Sequence, residues 1–399
     1  MTVGADPTQG RPLAACEDAL HEAAHRATGL DDFGPDAYHE GLRALLHSWD
    51  VDSDLTPAGR AAAFEVAKAA LVGRLHAQAG WKRLPECLGQ EIRRPLFVIG
   101  LARTGTTALH HLLGCDPAVQ GLELWLLPAP RPRPPRATWE RDPQYRACAD
   151  ALAAQFAAQP GLRAIHEMAA DAPDECWRLF HQSFASVTFE CIAHVASYSR
   201  WWADCDMRAA YARHRDLLQL IGAREPGRRW VLKDPSHLFH LEALLAAFPD
   251  AGFVWTHRDP VRAIPSVCSL NFAFRLPDRA PDPKLHGQTQ LELWGRGIER
   301  TLAMRRRLGP QRFFDVEQRE IAEDPLGVVR RIGAHFGFEV SGAALAAMRA
   351  FRAANPRGRH GEHSYRPEDY GLSAGQIRDR FAEYLEAYPQ EAAASASAR

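Results

Sequence analysis

The run Leu96-Phe97-Val98-Ile99-Gly100-Leu101-Ala102-Arg103-Thr104-Gly105-Thr106-Thr107, followed by Leu109, Leu112 and Leu113 at helical spacing, decides the fold. Four consecutive apolar residues predict a short strand covered on both faces, and the spacing after Thr107 predicts a helix. Gly100 and Gly105 bound the turn between them and permit a tight backbone path close to a ligand. Strand, glycine-bounded loop and helix together form the arrangement in which backbone N–H groups and a helix N-terminus cradle a phosphate. Thr106 and Thr107 add hydroxyl donors in the first helical turn. Compared with G-x-x-x-x-G-K-[ST], the match is complete except at the Lys, where Thr106 stands, and the loop's one cation is Arg103, three residues after Gly100. A nucleoside triphosphate kinase needs that Lys on the β/γ-phosphates, so this alternative is disfavoured.

Working outward, three further apolar runs, Trp230 to Leu232, Phe253 to Trp255 and Phe313 to Val316, alternate with helical stretches. They predict an α/β fold with a parallel sheet and helices on both faces. Upstream, Leu42, Leu45 and Leu46, then Phe64, Ala67, Leu71 and Leu75, predict a helical N-terminal layer, with Thr56 as N-cap and Pro57 opening its second helix. The chain divides into a helical region over 1–92, a main domain over 93–388 and a disordered tail over 389–399. The stretch Pro128 to Pro135 predicts a stiff extended wall or lid.

A net charge of -1 with 46% hydrophobic and 24% charged residues describes an ordinary globular chain and excludes the basic footprint of a general nucleic-acid binder. Of the 48 basic residues only four are Lys (Lys68, Lys82, Lys233 and Lys284), so each Lys draws attention as a compact point charge. The eight cysteines show no zinc spacing and no disulfide framework. No signal peptide and no transmembrane run is visible, which predicts a soluble, cytoplasmic protein, with a homo-oligomer allowed.

The stretch Pro95 to Thr107 resembles the 5'-phosphosulfate loop of sulfotransferases that use 3'-phosphoadenosine 5'-phosphosulfate (PAPS), specifically the bacterial group related to tyrosylprotein sulfotransferases. The resemblance covers about residues 29 to 388 and implies a P-loop-like three-layer domain that moves a sulfonate from PAPS to a hydroxyl or amine. It implies that Gly100, Arg103, Thr104, Gly105, Thr106 and Thr107 hold the phosphosulfate. Arg258 and Ser266, eight residues apart at a strand end and on the following helix, correspond to the family's 3'-phosphate pair. Arg357 and Gly358 resemble, more loosely, a C-terminal loop that folds over the same phosphate. Lys233, in Lys233-Asp234-Pro235, resembles the family's Lys that steadies charge between sulfonate and phosphate.

In-line transfer needs cations on the leaving phosphate and a base for the acceptor's proton. Arg103 and Lys233 supply the cations, and no divalent metal is required. For the base three candidates stand open: Glu123, 20 residues beyond Arg103; His166, ahead of the acidic Asp171, Asp174 and Glu175; and His237, four residues after Lys233. The acceptor is expected to be a small or lipophilic molecule, with Trp125, Trp177, Phe180, Phe184, Phe189, Trp201 and Trp202 either lining its pocket or filling the core. A catalytically silent PAPS-binding protein is the remaining alternative.

Overall fold

The sheet grows around strand β1, Leu96–Ile99, in which every residue is buried. The computed structural model describes residues 8–165, 167–356 and 365–389; of the expected site residues, His166, Arg357 and Gly358 lie outside them, as does residue 390 onward of the expected tail. Strands β2 (Val119–Gln120), β3 (Arg229–Lys233), β4 (Gly252–His257) and β5 (Phe313–Glu317) complete one sheet of order β2-β3-β1-β4-β5, with every pairing parallel. Alternate residues serve opposite faces, as the two-residue period of a strand demands. Phe97, Ile99, Leu232, Phe253, Trp255 and Phe313 belong to one hydrophobic core, and Leu96, Val98, Val231, Val254 and Val316 to another. The sheet therefore has apolar cover on both faces, which is the expected α/β architecture.

Helices α1 (Glu17–Thr28), α2 (Tyr38–Val51) and α3 (Pro57–Arg83) form the N-terminal layer, and α4 (Thr106–Gly114) follows the glycine-bounded loop. Leu20, Leu42, Leu46 and Leu71 of that layer share a continuous core with Phe97 and Trp255 of the sheet. Thr56 caps α3 as expected, its hydroxyl accepting from the Gly59 amide at 3.1 Å with Pro57 at the first helical position. It opens the third helix and not the second, because Gly29, left-handed at φ 69°, ends α1 and separates it from α2.

The sheet order places the C-terminal ends of β3, β1 and β4 side by side. Val98 lies opposite Lys233 and Ile99 opposite Trp255. The segments that leave these three strands consequently meet at one edge, the place where open α/β sheets bind ligands. Gly100, at φ 137°, begins the loop so close to β4 that a Cβ would lie 2.6 Å from both the carbonyl and the hydroxyl oxygen of Thr256. Gly100→Ala is expected to cost about 1–3 kcal/mol for the backbone conformation alone. Gly89→Ala, with no atom within 4 Å of its added methyl, should change stability by less than about 0.5 kcal/mol. Urea denaturation of the two variants checks this; equal shifts would mean that the loop tolerates a side chain.

Candidate active site at the C-terminal edge of the sheet

Three segments build the site. The first is the loop after β1. Its Thr104 is fully buried, donates to the Leu101 carbonyl at 2.6 Å and shares a 2.6 Å hydrogen bond with the Thr256 hydroxyl. That hydroxyl is thus committed to fastening the loop to β4, and Thr104 is left with its backbone to offer a ligand. Arg103 adopts φ 71° and Gly105 φ 89°. The left-handed region disfavours a non-glycine residue by roughly 1–2 kcal/mol, so the Arg103 conformation has to be held from outside.

The second segment does the holding. Asp259 caps the helix Pro260–Ala273 by accepting from the Val261 amide at 2.9 Å, with Pro260 at its first position. This sets Arg258 at the strand end, where its Nη1 donates to the Arg103 carbonyl at 2.8 Å. On the next turns of that helix Ser266, 3% exposed, accepts from Arg103 Nε at 3.2 Å. Arg103, Arg258 and Ser266, far apart in sequence, thus converge on one spot beside the N-terminus of α4. Burial, reinforced by the like charge of Arg258, pulls the Arg103 guanidinium below its usual pKa, while Tyr365 and Glu175 act the other way. Two guanidiniums and a hydroxyl beside a helix N-terminus form a donor set suited to a multiply charged anion. Tyr365 acts electrostatically on Arg103; the expected Arg357 and Gly358 lie outside the described residues.

The third segment follows β3. Lys233 is buried at the strand end; its Nζ donates to the Thr107 hydroxyl at 3.1 Å and forms an ion pair with Glu175 Oε1. A cation from the neighbouring strand therefore reaches the first turn of α4, where the loop itself has Thr106 in place of a Lys. Glu175 was not among the sequence candidates. Its partner lies 58 residues away, and its only signal was membership of the acidic stretch near His166.

Of the candidate bases, two stand apart from this cluster. Glu123 accepts from Arg133 Nε at 2.8 Å, and the same buried guanidinium donates to Gln120, Gly121 and Glu225. Burial pushes the Glu123 carboxyl up against the pull of Arg133. This network ties the Pro128 to Pro135 wall to the sheet edge at β2. His237 is fully buried, shares a 2.7 Å hydrogen bond between its Nδ1 and the Tyr211 hydroxyl and packs edge-on against Phe97 and Phe180. Burial, with the nearby His214 and His240, holds its pKa well below the ordinary value, and it sits as a core residue. The chain turns inward after Lys233 because Asp234 accepts from the Ser236 amide at 2.8 Å and starts the short helix Pro235–Phe239. Among the expected pocket aromatics, Trp125, Phe180, Phe184, Phe189 and Trp202 are core, and Trp177 and Trp201 are half-buried.

A narrow cleft opens beside Lys233, lined by Thr107, His111, Leu124, Met168, Pro173 and Glu175 among others. A larger hollow of about 450 Å³ lies in the helical layer, but Glu17, Asp31, Asp32 and Asp36 line it, so it repels a phosphosulfate. Among the described residues no group of three or more His, Cys, Asp or Glu is placed to hold a metal ion, and no helix is long and apolar enough to cross a membrane.

A parallel sheet with a glycine-bounded anion loop after its central strand, and with cations converging from both neighbouring strands, defines an enzyme of the P-loop-like group-transfer class. Residues 95–342 match the model of the sulfotransferase family, and the chain belongs to that family. It is 42% identical to the crystallised sulfotransferase STF1 of Mycobacterium tuberculosis H37Rv, covering 94% of this chain and 100% of that one with a TM-score of 0.86. STF9 of Mycobacterium avium is 32% identical, covering 93% and 96% with a TM-score of 0.85. Stf3 of Mycobacterium tuberculosis, an omega-hydroxy-beta-dihydromenaquinone-9 sulfotransferase, is 24% identical over 74% of each chain. The chain is accordingly a sulfotransferase by family, and the kinase alternative falls away.

The burial of His237 carries its own expectation. His237→Ala should cost about 2–4 kcal/mol, the range of large-to-small core substitutions. Turnover per folded molecule should stay within about threefold, far from the 10² to 10⁴ of a lost general base. Denaturation followed by an active-fraction assay separates the two; full stability with turnover lost would restore His237 to the chemistry.

Proposed function

We propose that the chain transfers a sulfonate from PAPS to a hydroxyl on a small lipophilic molecule. The observation that carries the donor half is the convergence of Arg103, Arg258 and Ser266 beside the amides of α4. Arg103, the loop amides and the hydroxyls of Thr106 and Thr107 hold the 5'-phosphosulfate, Arg258 and Ser266 take the 3'-phosphate, and Lys233 neutralises charge on the departing phosphate. Gly100 and Gly105 keep the loop close, and Thr104 contributes its backbone. Arg357 and Gly358 are assigned to the same 3'-phosphate through the family resemblance of their motif. The leaving group is a single phosphate neutralised by guanidinium, ammonium and amides, so no divalent cation enters.

The acceptor half is supported by Leu124, Met168, Ala169, Ala172 and Pro173, which give the cleft beside Lys233 apolar walls, and by the lipophilic acceptor in the name of Stf3. No disulfide joins any of the eight cysteines, in keeping with a reducing, cytoplasmic setting.

Calorimetry with 3'-phosphoadenosine 5'-phosphate (PAP) in EDTA tests the donor assignment. The parent should bind PAP without metal. Arg258→Ala should weaken it about ten- to a hundredfold, the scale of one charge-assisted hydrogen bond, and barely alter adenosine 5'-phosphosulfate, which lacks the 3'-phosphate. Equal losses for both ligands would remove Arg258 from that role, and a strict Mg²⁺ requirement would contradict the metal-free site.

A further inference from the structure

The segment Ala170 to Cys176 carries no regular secondary structure, yet it is held along its length. The Trp125 amide donates to the Ala170 carbonyl and the Leu124 amide to the Ala172 carbonyl, each at 3.1 Å. Asp174 returns its amide to the Leu122 carbonyl at 2.7 Å, and the Cys176 amide donates to the Lys233 carbonyl at 3.1 Å. His111 Nε2 bonds the Pro173 carbonyl at 3.0 Å. The segment thus bridges the chain after β2 to the end of β3, and Glu175 is fixed over the point where Lys233 meets Thr107. Asp174 has other work, accepting from Arg178 Nε at 2.6 Å.

Glu175 lies in the cleft, in contact with the cation that serves the leaving group, and Glu123 does not line that cleft. An acceptor oxygen in line with a sulfonate held at Thr107 and Lys233 would sit against the Glu175 carboxylate. A base has to be within hydrogen-bond reach of the proton it removes, and geometry precedes pKa in choosing it.

We propose that Glu175 is the catalytic base and that Lys233 exchanges the Glu175 carboxylate for the donor's phosphate when the donor binds; this rests on the reading of the loop as a PAPS site. In the free protein Lys233 neutralises Glu175. With the donor in place Lys233 turns to the bridging oxygen, and Glu175 is released to accept the acceptor's proton. The acceptor oxygen forms its bond to sulfur while the bond from sulfur to the 5'-phosphate oxygen breaks. The electron pair leaves on the phosphate, which Arg103 and Lys233 balance, and the proton goes to Glu175, which gives it up to water as the products leave. No oxidant or further reactant is needed.

The test uses the full chain, PAP calorimetry and a series of phenols of rising pKa as acceptors with PAPS. Glu175→Gln should bind PAP about threefold or more tighter, because Lys233 no longer has a competing carboxylate. Its turnover should fall by about 10² to 10⁴, with the loss growing as the phenol becomes less acidic, since a phenol already ionised needs no base. Glu175→Asp, which keeps the carboxylate on a shorter stem, should recover part of the turnover. Turnover within about threefold of the parent for every phenol, or a loss independent of phenol pKa, overturns the assignment of Glu175 as base. Weaker or unchanged PAP binding overturns the exchange of Lys233, and decides the matter alone if the parent binds PAP but uses none of the phenols. A parent that fails to bind PAP overturns the donor reading itself, and with it this proposal.

Discussion

The hydrogen bond from Arg258 to the Arg103 carbonyl is the contact on which the site depends. It joins the ends of β1 and β4, holds a non-glycine residue in the left-handed region, and brings two guanidiniums together. Each of those arrangements is unfavourable in isolation, since the backbone conformation is costly and the charges repel. They persist because the adjoining structure is over-determined. Both strands are buried on two faces, Thr104 fastens the loop to Thr256, and Asp259 fixes where Arg258 leaves the strand. Concentrated positive charge beside a helix N-terminus is what a bound anion would offset, so the strain at Arg103 and the suitability of the site for an anion share one cause.

The features legible in the sequence were those encoded locally. Leu96 to Ile99 is a strand with those same bounds because four apolar residues ended by a glycine leave little choice, and the other three runs differ from the observed strands by at most two residues at an end. Thr56 and Asp259 were readable as caps since a cap and a following Pro form a short-range device. Strand β2, of two residues, carries no periodicity, and only its pairing with Arg229 and Trp230 makes it a strand. Thr56 opens the third helix and not the second because a helical pattern of leucines does not reveal the left-handed Gly29 that ends α1.

The site divides along the same line. Arg103, Lys233, Arg258 and Ser266 were readable because a loop or a strand end fixes each of them. Glu123 and His237 looked equivalent to other acid–base groups in one dimension and are separated only by packing. One is committed to Arg133 at the β2 edge; the other is sealed under the sheet with Tyr211. Glu175, beside Lys233, shows the converse. Its position follows from backbone hydrogen bonds between a segment without regular structure and the chain after β2 and β3, and no spacing rule anticipates those.

The absence of a Lys from the loop finds its physical explanation in the strand register. Val98 pairs with Lys233, so the Lys leaves β3 level with the end of β1, one residue before its last, Ile99. Its side chain then needs to cross only one inter-strand spacing, about 4.8 Å, to reach Thr107, as observed. A Lys supplied by the loop would be tied to the phosphates through its own backbone. One supplied by β3 is positioned by the sheet and free to answer to a second partner on its other side, the place Glu175 occupies. With the Lys on β3, one ammonium touches the first turn of α4 on one side and the cleft-lining Glu175 on the other, two partners that a Lys tied to the loop backbone would not bridge in the same way.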